Sequence, residues 1–142
     1  MNNNIDIAIT FPAHTRHLRV VGRIGHMAVQ ELDCPEEVRN TLSDQLAVVL
    51  TEGVVNAIKH AGCSDPNGKI QVRITLTNDN LVVRIYDTGV GFDLDGIPDP
   101  CFTSCGMEDK GRGIFILRSL MDRVEYIRTE EGNVLEMRKK LA

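Results

Sequence analysis

Three short stretches of the 142-residue sequence carry side chains that could do chemistry together. The first is TEGVVNAIKHAG, residues 51–62, where Glu52, Asn56, Lys59 and His60 interrupt an apolar helical pattern. At about 100° per residue, Glu52, Asn56 and His60 project within about 80° of one another. Lys59 joins them, and Leu42, Leu46, Leu50, Gly53, Val54 and Ala57 form the neighbouring apolar face. A carboxylate at the border of a core can accept a proton. An amide oxygen four residues later can complete the oxygen octahedron of Mg²⁺, whose other ligands are commonly phosphates and water. Taken alone, the same pattern also suits a solvated helix edge.

The second stretch, YDTGVGFD, places Asp87 at the end of an apolar strand and follows it with Gly89 and Gly91. A buried carboxylate there can accept a hydrogen bond from an exocyclic amine such as that of adenine, an interaction of about 1.5–3 kcal/mol when one partner is charged. Glycines beside it let the backbone pass close to a flat base. A plain turn after a strand has the same composition. The third stretch, KGRGIFILRSLM, puts Gly111 and Gly113 at a helix start, where free N–H groups and the helix dipole can hold phosphate. Lys110 and Arg112 add positive charge there, and a glycine-rich helix entry is the plainer alternative.

These groups must be positioned by regular elements. IDIAITF alternates Ile5, Ile7 and Ile9 with Asp6 and Ala8, which predicts a half-buried strand ended by Pro12. From Ala13 to Leu32 the spacing of Leu18, Val21, Ile24, Ala28 and Leu32 predicts an amphipathic helix, with His14, His17 and His26 on or beside it. A second helix is predicted from about Pro35 to His60, with Pro35 suited to its first position and Glu36 and Glu37 to its first turn. GCSDPNGK ends it. KIQVRITL and NLVVRIYD, joined by TNDN, predict a hairpin. Residues 88–110, bearing glycines and prolines, predict a long functional loop, and the stretch from Asp93 to Lys110 a lid. A third helix is predicted from near Gly111 to about Met121, and two last strands, RVEYIRT and VLEMRKKL, meet across EEGN. This order predicts an α+β sandwich with helices on one face of a mixed or antiparallel sheet.

Composition narrows the function. The length and 42% hydrophobic residues predict one domain over residues 1–142 with a real core. MNNNIDIAITF lacks the pattern of a secretory signal, and no segment approaches the roughly 20 apolar residues that span a bilayer, so a soluble, cytoplasmic protein without membrane contact is expected. A formal charge of -4, with only two Tyr, four Phe and no Trp, argues against direct nucleic-acid binding. Cys34, Cys63, Cys101 and Cys105 form no CxxC pair and are expected to be free thiols.

Together and in this order, the three stretches resemble the ATPase fold shared by histidine kinases, gyrase and MutL. EGVVNAIKHA stands for the Glu/Asn helix, DTGVGF for the first glycine box and GRGIF for the second. The compact length and PCFTS in the loop are most similar to the bacterial anti-sigma factor serine kinases of partner-switching systems, over about residues 5–141. The resemblance implies a two-layer α/β sandwich that uses ATP and Mg²⁺. It implies Glu52 as general base for the incoming hydroxyl, Asn56 as Mg²⁺ ligand and Asp87 as the adenine-selecting carboxylate. Gly89 and Gly91 would shape the base pocket, Gly111 and Gly113 would meet the phosphates, and Thr103 would lie in the lid near the nucleotide. Lys59 and His60 fall at the helix end without an assigned role. Two departures stand out: Asn133 follows Gly132 where many relatives carry threonine, and TSCGMEDK replaces a more basic lid.

The implied function is an ATP-dependent serine kinase and anti-sigma factor. It phosphorylates an anti-sigma antagonist protein, sequesters a sigma factor and forms a homodimer. The alternatives are a non-catalytic ATP-gated adaptor, against which the retained Glu52 weighs, and a related switch kinase that activates a phosphatase. A further alternative is a histidine-kinase catalytic domain with His14 or His17 as acceptor, ahead of which a dimerising helical hairpin would be expected.

Overall fold

Isoleucines at every second position of the first segment form strand β1, Ile5–Pro12. The computed structural model describes residues 4–61, 68–88 and 109–141. After β1 come helices α1, Leu18–Gln30, and α2, Glu36–Ala61. Strands β2, Lys69–Leu76, and β3, Asn80–Asp87, follow as the expected hairpin. Helix α3, Asp109–Leu120, and strands β4, Arg123–Thr129, and β5, Gly132–Lys140, complete the described chain. The five strands form one sheet in the order β1-β2-β3-β5-β4. Every neighbouring pair is antiparallel, so of the two sheet types expected it is the antiparallel one that forms.

Period-two alternation decides which face each strand buries. Ile70, Val72, Ile74 and Leu76 of β2, Leu81, Val83 and Ile85 of β3, and Leu135 and Met137 of β5 are buried. The predicted apolar stripe of α2, Leu42, Leu46, Leu50, Val54 and Ala57, is buried against them. Helix α1 contributes Val21, Ala28 and Val29 and packs on α2, and α3 adds Ile114 and Leu117. The close approach of α2 to the sheet depends on Gly53, where a Cβ would lie 2.4 Å from Ile85 Cδ1. A larger side chain there would force the Ile85 side chain to repack.

The uncovered face of the sheet is polar. Arg73 of β2 pairs with Asp6 of β1, and Glu136 of β5 accepts from both Arg84 and Arg138. Burial alone would raise the Glu136 carboxyl, but the hydrogen bonds from Arg138 and Arg84 outweigh it and hold the group below its ordinary value.

The first helix begins later than its periodicity predicts. Beyond Pro12 the chain is extended at His14, whose Nδ1 accepts from the Arg16 N–H at 3.1 Å. A single 3₁₀ turn, Thr15–His17, then leads into α1 at Leu18. The side chain that satisfies this free N–H defines the true helix entry, which periodicity cannot sense. At the other end Leu32 stays buried after the helix has stopped. There Arg39 donates to the Leu32 and Cys34 carbonyls and closes the α1–α2 connection. The boundaries of α3 and β5 each start two residues before those expected. Among the described residues Cys34 is free, as expected, while Cys63, Cys101 and Cys105 lie outside them.

Candidate functional site

Helix α2 has to turn its apolar stripe to the sheet, which leaves Glu52 on its flank toward α3. There it meets Gly113: a Cβ on that glycine would stand 2.9 Å from Glu52 Oε2. The carboxylate of the first stretch therefore lies directly against the backbone of the third stretch, although 61 residues separate them in sequence. Only a residue without a side chain leaves this space. Asn56 follows one turn after Glu52, and its Nδ2 is buried without a hydrogen-bond partner. A buried amide with an unmade hydrogen bond costs about 1–3 kcal/mol, so it marks a place where a ligand or water completes the contact.

The unpartnered Nδ2 calls for an acceptor such as water or a phosphate oxygen, while the oxygen of the same amide is of the type that suits Mg²⁺. Among the described residues there is no cluster of three His, Cys, Asp or Glu side chains. A single protein oxygen with phosphate and water ligands is the usual arrangement for this ion in phosphate chemistry. Asn56 carries such an oxygen, but the atom left without a partner is its donor nitrogen Nδ2.

The second stretch is anchored at the end of β3. Asp87 continues the buried row Leu81, Val83 and Ile85, and is itself 4% exposed. Directly across the ladder lies Asn133 of β5, 6% exposed, whose Nδ2 donates to Asp87 Oδ1 at 3.1 Å. The neighbouring Gly132 has φ +146°, and the Asp87 carbonyl oxygen would stand 2.7 Å from a Cβ placed there. Glycine is required by both the conformation and the space. A cavity of about 330 Å³ opens at this end of the sheet, where Thr10, Gln71 and Tyr86 of the uncovered face meet Asp87, Gly132 and Asn133.

Of the predicted site residues, Glu52 and Gly113 are brought together, and Asp87 is buried at the strand end where it was expected. Gly111 lies in the first turns of α3. Gly89, Gly91 and Thr103 lie outside the described residues, as do most of the proposed lid and the turn after α2. Lys59 and Arg112 are exposed, and His60 is in the last turn of α2. The ring of His17 packs against Phe11 at 5.9 Å with its Nε2 buried, and His14 is engaged by Arg16. His17 therefore does not present its Nε2 to a phosphoryl donor, whereas His14 is exposed. The bond from Asn133 to Asp87 was not anticipated: only the departure at Asn133 was visible, and the pairing of β3 with β5 is what gives it a partner.

A family model described as histidine kinase-like ATPase domain matches residues 11–139. The anti-sigma F factor of Oceanobacillus iheyensis is 34% identical over 101 residues, covering 69% of this chain and 69% of that protein. The serine-protein kinase RsbW of Bacillus subtilis is 30% identical over 104 residues, covering 69% of this chain and 64% of that kinase, slightly under two thirds of its length. Among solved structures, the RsbU and RsbW domains of a Mycobacterium tuberculosis protein superpose with a TM-score of 0.63 at 16% identity, over 95% of this chain and 32% of that one. That similarity is one of fold.

Proposed function

The chain belongs to the histidine kinase-like ATPase domain family, and on that premise we propose that it is an ATP-dependent protein serine kinase that also acts as an anti-sigma factor. It transfers the γ-phosphoryl group of ATP to a serine of a small antagonist protein, and it sequesters a sigma factor while the antagonist is phosphorylated. It works in the cytoplasm as a homodimer. The names of its relatives, anti-sigma F factor and serine-protein kinase, support this reading.

The observation that carries it is the meeting of Glu52 with Gly113. Free N–H groups at the start of α3 suit phosphate oxygens, and Glu52 is the acid standing against Gly113, the fifth residue of that helix. In transfer, the serine oxygen forms a bond to the γ-phosphorus as the bond to the bridging oxygen breaks. ADP leaves with the electron pair, and the hydroxyl proton goes to Glu52. The protein's contribution is placement and proton acceptance, which suits a loose transition state with little covalent chemistry for side chains to perform. Mg²⁺, held through the Asn56 oxygen, would neutralise charge between the phosphates. Asp87 accepts the exocyclic amine of adenine, and the glycines Gly89 and Gly91 let the backbone approach the base.

The reading is tested by capture from cell extract with ATP or ADP present, followed by identification of the retained protein and its modified residue. Retention of a sigma factor, and of a second small protein that becomes phosphorylated on serine, is expected. A partner that is bound but never phosphorylated would favour the adaptor.

A further inference from the structure

Helices α1, α2 and α3 lie on one face of the sheet, and no described element covers the other. That open face gathers positive charge on a chain whose net charge is -4. Period-two alternation turns Lys69 and Arg73 of β2, Arg84 of β3, Arg123 of β4, and Arg138 and Lys140 of β5 toward it. Against these six cations the strands set three carboxylates, Asp6, Glu125 and Glu136. Each carboxylate is already held by an arginine, and Glu136 by two. The cations are not used up by these pairs. The side chains of Arg73, Arg123 and Arg138 stay 48%, 68% and 50% exposed, and neither Lys69 nor Lys140 has an ion-pair partner among the described residues. Apolar surface lies between them. Tyr86, Val134 and Ile127 stand side by side across β3, β5 and β4, and Ile127 is 42% exposed.

From this arrangement we propose that the open sheet face is a docking surface for an acidic amphipathic helix of a partner protein. The apolar side of that helix lies on Tyr86, Val134 and Ile127, and its carboxylates meet Arg123, Arg138 and Lys140. The charge surplus selects an acidic occupant, and arginine forks match carboxylates in shape as well as charge. Tyrosine and arginine around an apolar centre are also the side chains that concentrate binding energy between proteins. A helix is the fitting shape, since a sheet buries its faces against helices, as this one already does on its other side. Nucleic acid fits less well. A phosphate backbone is gripped by many cations at once, and here three carboxylates stand among them and repel it. The open face lies across the sheet from Glu52 and α3, so a helix docked there leaves the proposed transfer site free, and the inference does not depend on the kinase reading.

The test is a nuclear magnetic resonance titration of the isotope-labelled full chain with a synthetic helical peptide that carries leucines on one side and glutamates along its flanks. Amide shifts should concentrate on Arg84, Tyr86, Ile127, Val134 and Arg138 and spare α1 and α2. Binding should weaken about tenfold or more when salt rises from about 0.05 M to about 0.5 M, because screening shortens the reach of the charges. Ile127→Glu, and Arg123→Glu combined with Lys140→Glu, should each weaken it about tenfold or more, while binding ADP as the wild type does. A peptide with every glutamate replaced by glutamine should lose most of its affinity. The proposal is overturned if no shifts appear at about 1 mM peptide, if they centre on α1 or α2, or if salt leaves binding unchanged. Equal binding by the glutamine peptide, or undiminished binding by either variant, overturns it as well. So does tighter binding at the same residues of a single-stranded oligonucleotide or of phosphatidylglycerol vesicles, which would assign the face to nucleic acid or membrane. Light scattering covers the remaining occupant: a particle mass that falls in Ile127→Glu would mean that a second copy of the chain sits there. Should Ile127→Glu not fold, the charge-reversal pair decides alone.

Discussion

Glu52 of α2 and Gly113 of α3 are in contact range, with Oε2 of the acid 2.9 Å from where a glycine Cβ would be. This contact joins the one acidic group on the α2 edge to the glycine-rich entry of α3, and it makes the glycine a test of the acid's position.

Gly113→Ala should displace the Glu52 carboxylate without harming the fold, because the group that must yield is the end of a flexible side chain. Alanine in a helix is worth about 0.5–1 kcal/mol over glycine, so the thermal midpoint should hold or rise. Phosphate transfer should nevertheless fall at least about tenfold, since displacements of ångström size at a reacting centre cost up to about 10²-fold. Adding Glu52→Gln to Gly113→Ala should bring little further loss than Glu52→Gln alone, the non-additivity of two changes acting through one group. Melting curves and transfer rates for the single and double variants check this.

Gly53→Val should have the opposite profile. Its added atoms would meet Ile85 Cδ1, at 2.4 Å from the first of them, in the packed seam between α2 and β3. Overpacking of this kind costs about 1–3 kcal/mol, read as a lower midpoint in denaturant titration with an unchanged slope.

How much of this could be read from residues alone follows their physics. The strands were legible because one buried face forces alternation, as in Ile70, Val72 and Ile74, and α2 was legible because its stripe from Leu42 to Ala57 keeps helical period. Glu52 and Asp87 could be singled out because each breaks an apolar pattern. Sequence neighbours could not reveal which distant groups meet. Glu52 finds Gly113, and Asp87 finds Asn133, only once α3 lies on α2 and β5 inserts between β3 and β4. The late start of α1 escaped for a local reason, the hydrogen bond from the Arg16 N–H to His14.

Acid should weaken the fold partly through Glu136. Its carboxyl is held below its ordinary value of 4.5, because hydrogen bonds from Arg138 and Arg84 outweigh its burial. A depressed folded value means that the ionised form stabilises the native state. That contribution is complete above the unfolded value and is lost as pH falls through the lower folded one. Glu136→Gln should therefore cost about 1–2 kcal/mol at neutral pH, with the gap to wild type closing below about pH 4.5. Thermal midpoints of both proteins across that range give the answer, and a gap that widens in acid would refute the assignment.

Asn56→Ala should weaken Mg²⁺-dependent nucleotide binding and transfer together, because it removes the oxygen proposed to hold the ion. In the absence of Mg²⁺ the variant and the wild type should bind ADP alike. Titrations with and without the ion check this, and equal losses in both conditions would place Asn56 in packing instead.

The central claim, that Glu52 is the base of a protein kinase, is tested most directly by Glu52→Gln. The substitution keeps size and polarity and removes the negative charge and the ability to take a proton. Radiolabelled transfer from ATP to the captured partner, measured beside nucleotide titration of the same preparation, should show affinity close to wild type with transfer reduced about 10²–10⁴-fold. Transfer by Glu52→Gln at the wild-type rate would contradict the account.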